Sequence, residues 1–255
     1  MSDVAADAPR VCALLPAYNE AARTGATVAA LRSRPEIGRI VVVDDGSADD
    51  TAARARDAGA DQVITRTNGG KGAALTTAYR AERDGADIFL LLDADLGASA
   101  TECVKLLPPL WNDWADMTIG MLPPDPAFAA SGRRGGMGLV VRLARWGIAR
   151  RAGRTLAQPL SGQRAVRRVV LDAALAGGAF ARGFGVEVGL TLDALQAGFR
   201  VHEVETQFRH HVTGSDWSGL RHRTRQLVDV ARVVLASPLP ARRGSPPSPS
   251  AGRGL

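Results

Sequence analysis

An α/β domain built on a doubly wound, mostly parallel sheet is the fold class this sequence predicts, and three observations predict it. Short aliphatic runs alternate with longer alanine-rich segments through residues 1–100. Each of the first four runs stops at a polar loop that carries carboxylates, glycines or both. The run Ile88–Leu92, five apolar residues flanked by polar groups, has the composition of a strand buried on both faces, as parallel strands are. At 255 residues there is ample length for one core of this kind.

Taken in order, Val11–Leu15 predicts the first strand, ended by Pro16, and the segment to about Arg34 predicts a helix. Ile40–Val43 is the second strand, followed by the turn Asp44-Asp45-Gly46-Ser47. Ser47 is expected to cap a helix over Ala48–Ala58, which Gly59 ends. Gln62–Thr65 is a third strand, Asn68-Gly69-Gly70 a loop, Lys71–Arg83 a helix and Asp87–Leu92 the fourth strand.

The alternation then loosens. Ser99–Leu107 predicts a helix, Met117–Met121 a strand, Leu122–Gly136 a loop with three prolines, and Arg154–Arg168 irregular chain. Met137–Arg151 reads either as a helix covering the core with a solvated arginine face or as a basic amphipathic helix lying on a membrane. Gly185–Ala197 predicts a helix, Arg200–Phe208 alternates as a strand, and Trp217–Leu235 predicts a closing helix. One domain over 10–236 results, with a regularly alternating first half (10–98) and a looser second half (99–236). Residues 1–9 are expected to be flexible, and the Pro/Ser/Gly/Arg-rich residues 237–255 disordered.

Composition removes several classes of function. No run of 18 apolar residues occurs and residues 1–10 are polar, so neither a spanning helix nor a signal peptide is expected, and the cytoplasm is the default, with a peripheral place at the inner face of the plasma membrane the alternative. Cys12 and Cys103 do not make a disulfide framework. The net charge of +6 is unevenly spread: residues 1–100 carry 11 basic and 15 acidic side chains, leaving 21 and 11 for residues 101–255. The second half therefore favours anionic partners such as phosphates or acidic lipid surfaces. Aromatics make up 5% and do not interleave with basic residues, which argues against a nucleic-acid platform.

The four strand ends carry the chemistry, because a parallel sheet gathers its ligands beyond the carboxyl ends of its strands. Those ends are Pro16–Glu20, Asp44-Asp45, Asn68–Gly72 and Asp93-Ala94-Asp95. Asp45 can accept hydrogen bonds from a base or ribose, and Gly46-Ser47 lets backbone approach closely. Gly69, Gly70 and Gly72 offer N–H groups at a helix N-terminus, with Lys71 as a compact positive charge; Lys71 and Lys105 are the two lysines among 32 basic residues. Asp93 and Asp95 are hard oxygen ligands suited to Mg²⁺ or Mn²⁺. The Gly loop is not a Walker A motif, since Thr65 and Gly72 stand where Gly and Ser/Thr are needed, and no G-x-G-x-x-G follows the first strand.

The motifs Pro16-Ala17-Tyr18-Asn19-Glu20, Val41–Thr51 (VVVDDGSADDT), Asn68–Ala73 (NGGKGA) and Asp93-Ala94-Asp95 together resemble the ordered signatures of family-2 nucleotide-sugar glycosyltransferases with the GT-A fold, across residues 11–98. Pro159–Arg168 (PLSGQRAVRR) and Gly183–Glu205 are similar to the acceptor half of the polyprenyl-phosphate mannosyltransferase and glucosyltransferase branch. Phe208–Gln226 resembles the His- and Arg-rich segment of glucosyl-3-phosphoglycerate synthases. In the polyprenyl-phosphate branch an Asp commonly precedes the Ser-Gly pair; here Gln158 stands nearest that position.

The resemblance implies a metal-dependent transfer of a hexose from a UDP or GDP sugar to a phosphate-bearing small molecule or lipid phosphate, or to a hydroxyl. Pro16, Ala17, Tyr18 and Glu20 would lie beside the nucleoside, Asp45, Gly46 and Ser47 at the base or ribose, and Gly70 and Lys71 near the diphosphate. Asp93 would help place the donor, also as a metal-side carboxylate, with Asp95 the direct metal ligand. Ser161 and Gly162 would belong to the acceptor side, with Glu187 as its carboxylate or base; the plain alternative for Glu187 is an acid at a helix N-terminus. His210 or His211 would supply a third ligand, unless both are surface residues. Arg221 and Arg225, four apart, can share a face and clamp phosphate, or be solvated. Peripheral membrane contact and a homodimer are compatible with the chain. A sugar-phosphate nucleotidyltransferase and a non-catalytic nucleotide-sugar or membrane-surface binder are the competing readings.

Overall fold

The computed structural model describes residues 9–123, 137–181, 183, 185–209 and 218–238; for Met137 and residues 218–225 it describes the backbone alone. His210, His211, the side chains of Arg221 and Arg225, the loop expected at 124–136 and the terminal stretches 1–8 and 239–255 lie outside the described residues.

The chain alternates β1 (Val11–Ala17), α1 (Ala21–Arg32), β2 (Arg39–Asp44), α2 (Thr51–Asp57), β3 (Gln62–Thr65), α3 (Lys71–Glu82) and β4 (Ile88–Leu91). A 3₁₀ segment (Gly97–Leu106), α4 (Pro108–Trp111), β5 (Met117–Met121), α5 (Met137–Ala152), β6 (Arg164–Arg167), α6 (Arg168–Ala174), α7 (Gly185–Gln196), β7 (Val201–Glu205) and α8 (Ser218–Ala236) complete it. One seven-stranded sheet results, in the order β3-β2-β1-β4-β6-β5-β7. The strands β1, β2 and β4 are buried and aliphatic because both sheet faces are covered there, one by α1 with the 3₁₀ segment and the other by α3 and α7, while the edge strand β3 is only half-buried.

Three expectations need correction. Ser47 caps nothing: the second helix begins at Thr51, and Ser47 Oγ instead accepts the Asn19 N–H at 2.9 Å, joining the loops after β1 and β2. The stretch Ser99–Leu107 winds as a 3₁₀ segment rather than an α-helix. Within Arg154–Arg168, expected to be irregular, Arg164–Arg167 forms β6, which runs antiparallel to both its neighbours. Its four residues carry arginine at both ends, so a strand signal was hidden.

That reversed strand matters for the site. Registers bring Ala17 opposite Asp44, Asp44 opposite Thr65 and Leu14 opposite Leu91, so the parallel strands finish along one edge. Since Leu91 faces Arg164 at the start of β6, the residues just before Arg164 come in beside Asp93. Among the described residues, no helix is long and apolar enough to cross a membrane.

Candidate active site

The loops that leave β1 and β2 hold each other. Asn19 sits at φ 54°, its N–H on Ser47 and its Oδ1 accepting from Ala48 N at 2.8 Å, while Glu20 N donates to Thr51 Oγ1 at 2.8 Å. This tie leaves Tyr18 exposed on the rim of a cleft of about 230 Å³ lined by Pro16, Tyr18, Glu20, Asp93, Ala94 and Asp95. Both members of the Asp-X-Asp motif thus reach the same hollow as the first loop.

Asp45 is placed differently from expectation. Its buried carboxylate accepts from Arg66 Nη1 at 2.5 Å, Gly69 N at 3.1 Å and Gly70 N at 2.6 Å. The N–H groups expected to cradle a diphosphate are therefore engaged by a side chain of the same chain. Gly46 makes the turn possible: at φ +80° it packs so closely that a Cβ would lie 2.9 Å from Asn68 N.

Lys71 opens α3, and its ammonium bridges two distant elements. Nζ lies 2.7 Å from Asp93 Oδ1 and 2.8 Å from Glu187 Oε1, in the first turn of α7. Burial works against the charge, but Asp93 and Glu187 outweigh it and raise the lysine pKa above its ordinary value. The ammonium is kept. Asp93 is further fixed by Gln163, whose Nε2 donates to Oδ2 at 2.6 Å and whose Oε1 accepts Asp93 N at 3.1 Å. Both Asp93 oxygens are engaged in this way, by Lys71 and by Gln163.

Glu187 is buried, and its second oxygen, Oε2, has no hydrogen-bond partner among the described residues. A buried carboxylate oxygen left so is costly unless a ligand supplies a donor. Beside it Gly162 comes so near that a Cβ would lie 2.7 Å from Lys71 Nζ and 3.0 Å from Asp93 Oδ2. Ser161, by contrast, turns its hydroxyl to Gly120 O at 2.6 Å and serves the loop itself.

Two residues that the motifs did not single out hold this cluster together. One is Gln163. The other is Arg164, 1% exposed, which donates to Ser161 O and Pro159 O at 3.0 Å each and to Thr191 Oγ1 at 2.8 Å. Thr191 in turn donates to Glu187 O at 2.7 Å. Burial draws the Arg164 pKa down to about 10, against the pull of Glu187 and Glu203, so the guanidinium is charged at neutral pH. Polar residues at the mouth of a short buried strand were the available signal. Gln158, at the position where an acid was looked for, clasps Leu122, accepting its N–H and donating to its carbonyl, which a carboxylate could not do.

Among the described residues no three His, Cys, Asp or Glu side chains form a metal cage. The donor set nonetheless fits a hard divalent cation of the kind held by one or two carboxylates plus substrate phosphates, with Asp95 at the cleft.

Residues 12–151 match the family described as Glycosyl transferase family 2. The chain is 32% identical over 207 residues to Glycosyltransferase AglJ of Haloferax volcanii, covering 81% of this chain and 65% of that protein. It is 31% identical over 201 residues to a glucosyl-3-phosphoglycerate synthase of Mycolicibacterium paratuberculosis, covering 72% and 59%. The chain therefore spans less than two thirds of the length of either relative. Among solved structures it resembles the glucosyl-3-phosphoglycerate synthase of Mycobacterium tuberculosis in complex with Mn²⁺, uridine diphosphate and phosphoglyceric acid, with a TM-score of 0.72, 26% identity and coverage of 90% of this chain and 80% of that one.

Proposed function

The chain belongs to glycosyl transferase family 2, and from that premise we propose that it transfers a hexose from a nucleotide-diphosphate sugar to a phosphate-bearing acceptor. The observation that carries this reading is the Lys71–Asp93–Glu187 cluster at the edge where four strand ends meet, with Glu187 Oε2 awaiting a donor. UDP-glucose is the first donor to consider and a phosphoglyceric acid the first acceptor, because the solved relative binds uridine diphosphate and phosphoglyceric acid.

In this reading the nucleoside lies against Pro16, Ala17, Tyr18 and Glu20, and the diphosphate points toward Asp95. Asp95 would hold Mg²⁺ or Mn²⁺, with Asp93 braced behind it; when bound, the metal supplies charge stabilisation to the leaving diphosphate. Lys71 sets Asp93 and Glu187 at a fixed separation and has a third N–H for a phosphate oxygen. An acceptor hydroxyl donates to Glu187 Oε2, its oxygen forms the new bond to the anomeric carbon, and the bond from that carbon to the diphosphate oxygen breaks. The proton passes to Glu187. A phosphate acceptor is already ionised at neutral pH and needs no such transfer, which admits a lipid phosphate at the same site. The sugar-phosphate nucleotidyltransferase reading is weakened by the family match and by Pro16–Glu20 standing where such enzymes place a glycine-rich loop.

Calorimetric titration with UDP-glucose, UDP-N-acetylglucosamine, GDP-mannose and GDP-glucose, each with Mn²⁺ and again with EDTA, tests the reading. One donor should bind in the presence of metal only, and Asp95→Ala should erase the metal dependence. Failure of all four to bind in Mn²⁺ would remove the proposal.

A further inference from the structure

The helices α5 and α8 pack on each other and on α7. Gly147 of α5 meets Val234 of α8 so tightly that a Cβ would lie 2.4 Å from the valine. Gln196, at the end of α7, donates to both Arg151 O at 3.4 Å and Pro238 O at 2.9 Å, so the C-terminal ends of α5 and α8 lie together and the two helices run in the same direction. At about 100° per residue from the Gly147–Val234 contact, Leu139 and Trp146 of α5 point outward on the same side as Val228 and Leu235 of α8.

All four are open to solvent: Leu139 is 58% exposed, Trp146 56%, Val228 39% and Leu235 70%. They are half of the eight large apolar side chains exposed among the described residues. Arg142 and Arg150 share the stripe of Leu139 and Trp146, and Arg232 lies between Val228 and Leu235; all three are exposed. No acid occurs in α5, and Asp229 of α8 is half-buried against Gly183. Apolar side chains with a tryptophan, set among arginines that have no acidic partner among the described residues, are the composition of a surface that enters a lipid interface.

We propose that the α5–α8 face docks this protein on an anionic lipid bilayer, with Leu139, Trp146, Val228 and Leu235 entering the interface and Arg142, Arg150 and Arg232 meeting the headgroups. A second copy fits the face less well, because a two-fold contact would set its arginines against each other. The docking is independent of the transferase reading, since it involves none of the site residues.

Co-sedimentation of the full chain with vesicles of phosphatidylcholine alone, and of phosphatidylcholine mixed equally with phosphatidylglycerol, tests this. Binding is expected with the anionic vesicles alone and should be released by salt. Trp146→Ser combined with Leu235→Ser should abolish it without lowering the melting temperature, and Arg142→Ser or Arg150→Ser should each weaken it about fivefold. Trp114, 71% exposed beside the core cluster on the opposite sheet face, is the control: Trp114→Ser should leave binding intact. Equal binding to neutral vesicles, no binding to either, or binding that survives the Trp146/Leu235 double substitution overturns the proposal. So does a dimer, seen by light scattering, that the same double substitution dissociates while vesicles fail to bind.

Discussion

Lys71 and Glu187 stand 116 positions apart in the chain and 2.8 Å apart in space. The contact joins the first turn of α3 to the first turn of α7. Asp93, on the same ammonium, draws in the end of β4. Removing the lysine would leave two carboxylates facing each other without a counter-charge. Lys71→Met is expected to lower stability by on the order of 3 kcal/mol and turnover by at least about a hundredfold. Denaturant titration of Lys71→Met, Glu187→Gln and the double variant checks the coupling: the double should lose clearly less stability than the two singles summed.

Gly162 and Gly72 make a contrast. A Cβ on Gly162 would meet the movable end of Lys71, whereas one on Gly72 would come 2.1 Å from the backbone oxygen of Ala181. Gly162→Ala should hardly change the melting temperature but should cut turnover about tenfold to a hundredfold by displacing the ammonium. Gly72→Ala should destabilise the fold by about 1–3 kcal/mol. Thermal melts and initial rates on the pair separate the two effects.

Arg164 is buried and acts by position, tying Pro159 O and Ser161 O to Thr191 and so to the backbone of Glu187. Arg164→Met should lower kcat and leave donor affinity near its starting value, since the donor loops follow other strands. The orphaned carbonyls should also cost on the order of 3 kcal/mol. Arg164→Lys, which lacks the planar fork, should restore little of kcat. Steady-state rates set beside donor titrations read the split.

The Arg200 guanidinium, hydrogen-bonded to Asp116, holds that carboxyl below the usual aspartate range. A depressed folded pKa gives stability that is present above the unfolded value of about 3.9 and is lost as pH falls through the folded one. Asp116→Asn should therefore be destabilising at neutral pH, with the gap to the parent closing only in acid below that value. Lys71 behaves oppositely: its raised pKa keeps the bridge intact through neutral and mildly alkaline pH and gives it up only above the ordinary lysine value. Melting temperature against pH for the parent and Asp116→Asn reads the first effect.

Much of this was legible in the residues. The strands β1, β2 and β4 announced themselves because buried parallel strands are continuous aliphatic runs, and their polar ends mark the edge where the candidate site lies. The second half was harder to read. β6 has a four-residue span with charged ends, and its direction depends on a crossover that no local pattern records. Gln163 and Arg164 escaped notice for the same reason, since a buried polar side chain next to an exposed-looking arginine gives no periodic signal. The use of the Gly69 and Gly70 N–H groups by Asp45 depends on a contact between loops 24 and 25 residues apart, which spacing does not encode.

The central claim is hexose transfer at the Asp93–Asp95 edge to a phosphate-bearing acceptor. Its most direct test is incubation of the full chain with radiolabelled UDP-glucose, phosphoglyceric acid and Mn²⁺, following both labelled acceptor and released uridine diphosphate. The account predicts the two products in equal amounts, with both lost in EDTA and in Asp95→Ala. Absence of labelled product with this acceptor and with a polyprenyl phosphate, across UDP and GDP donors that bind, would contradict it.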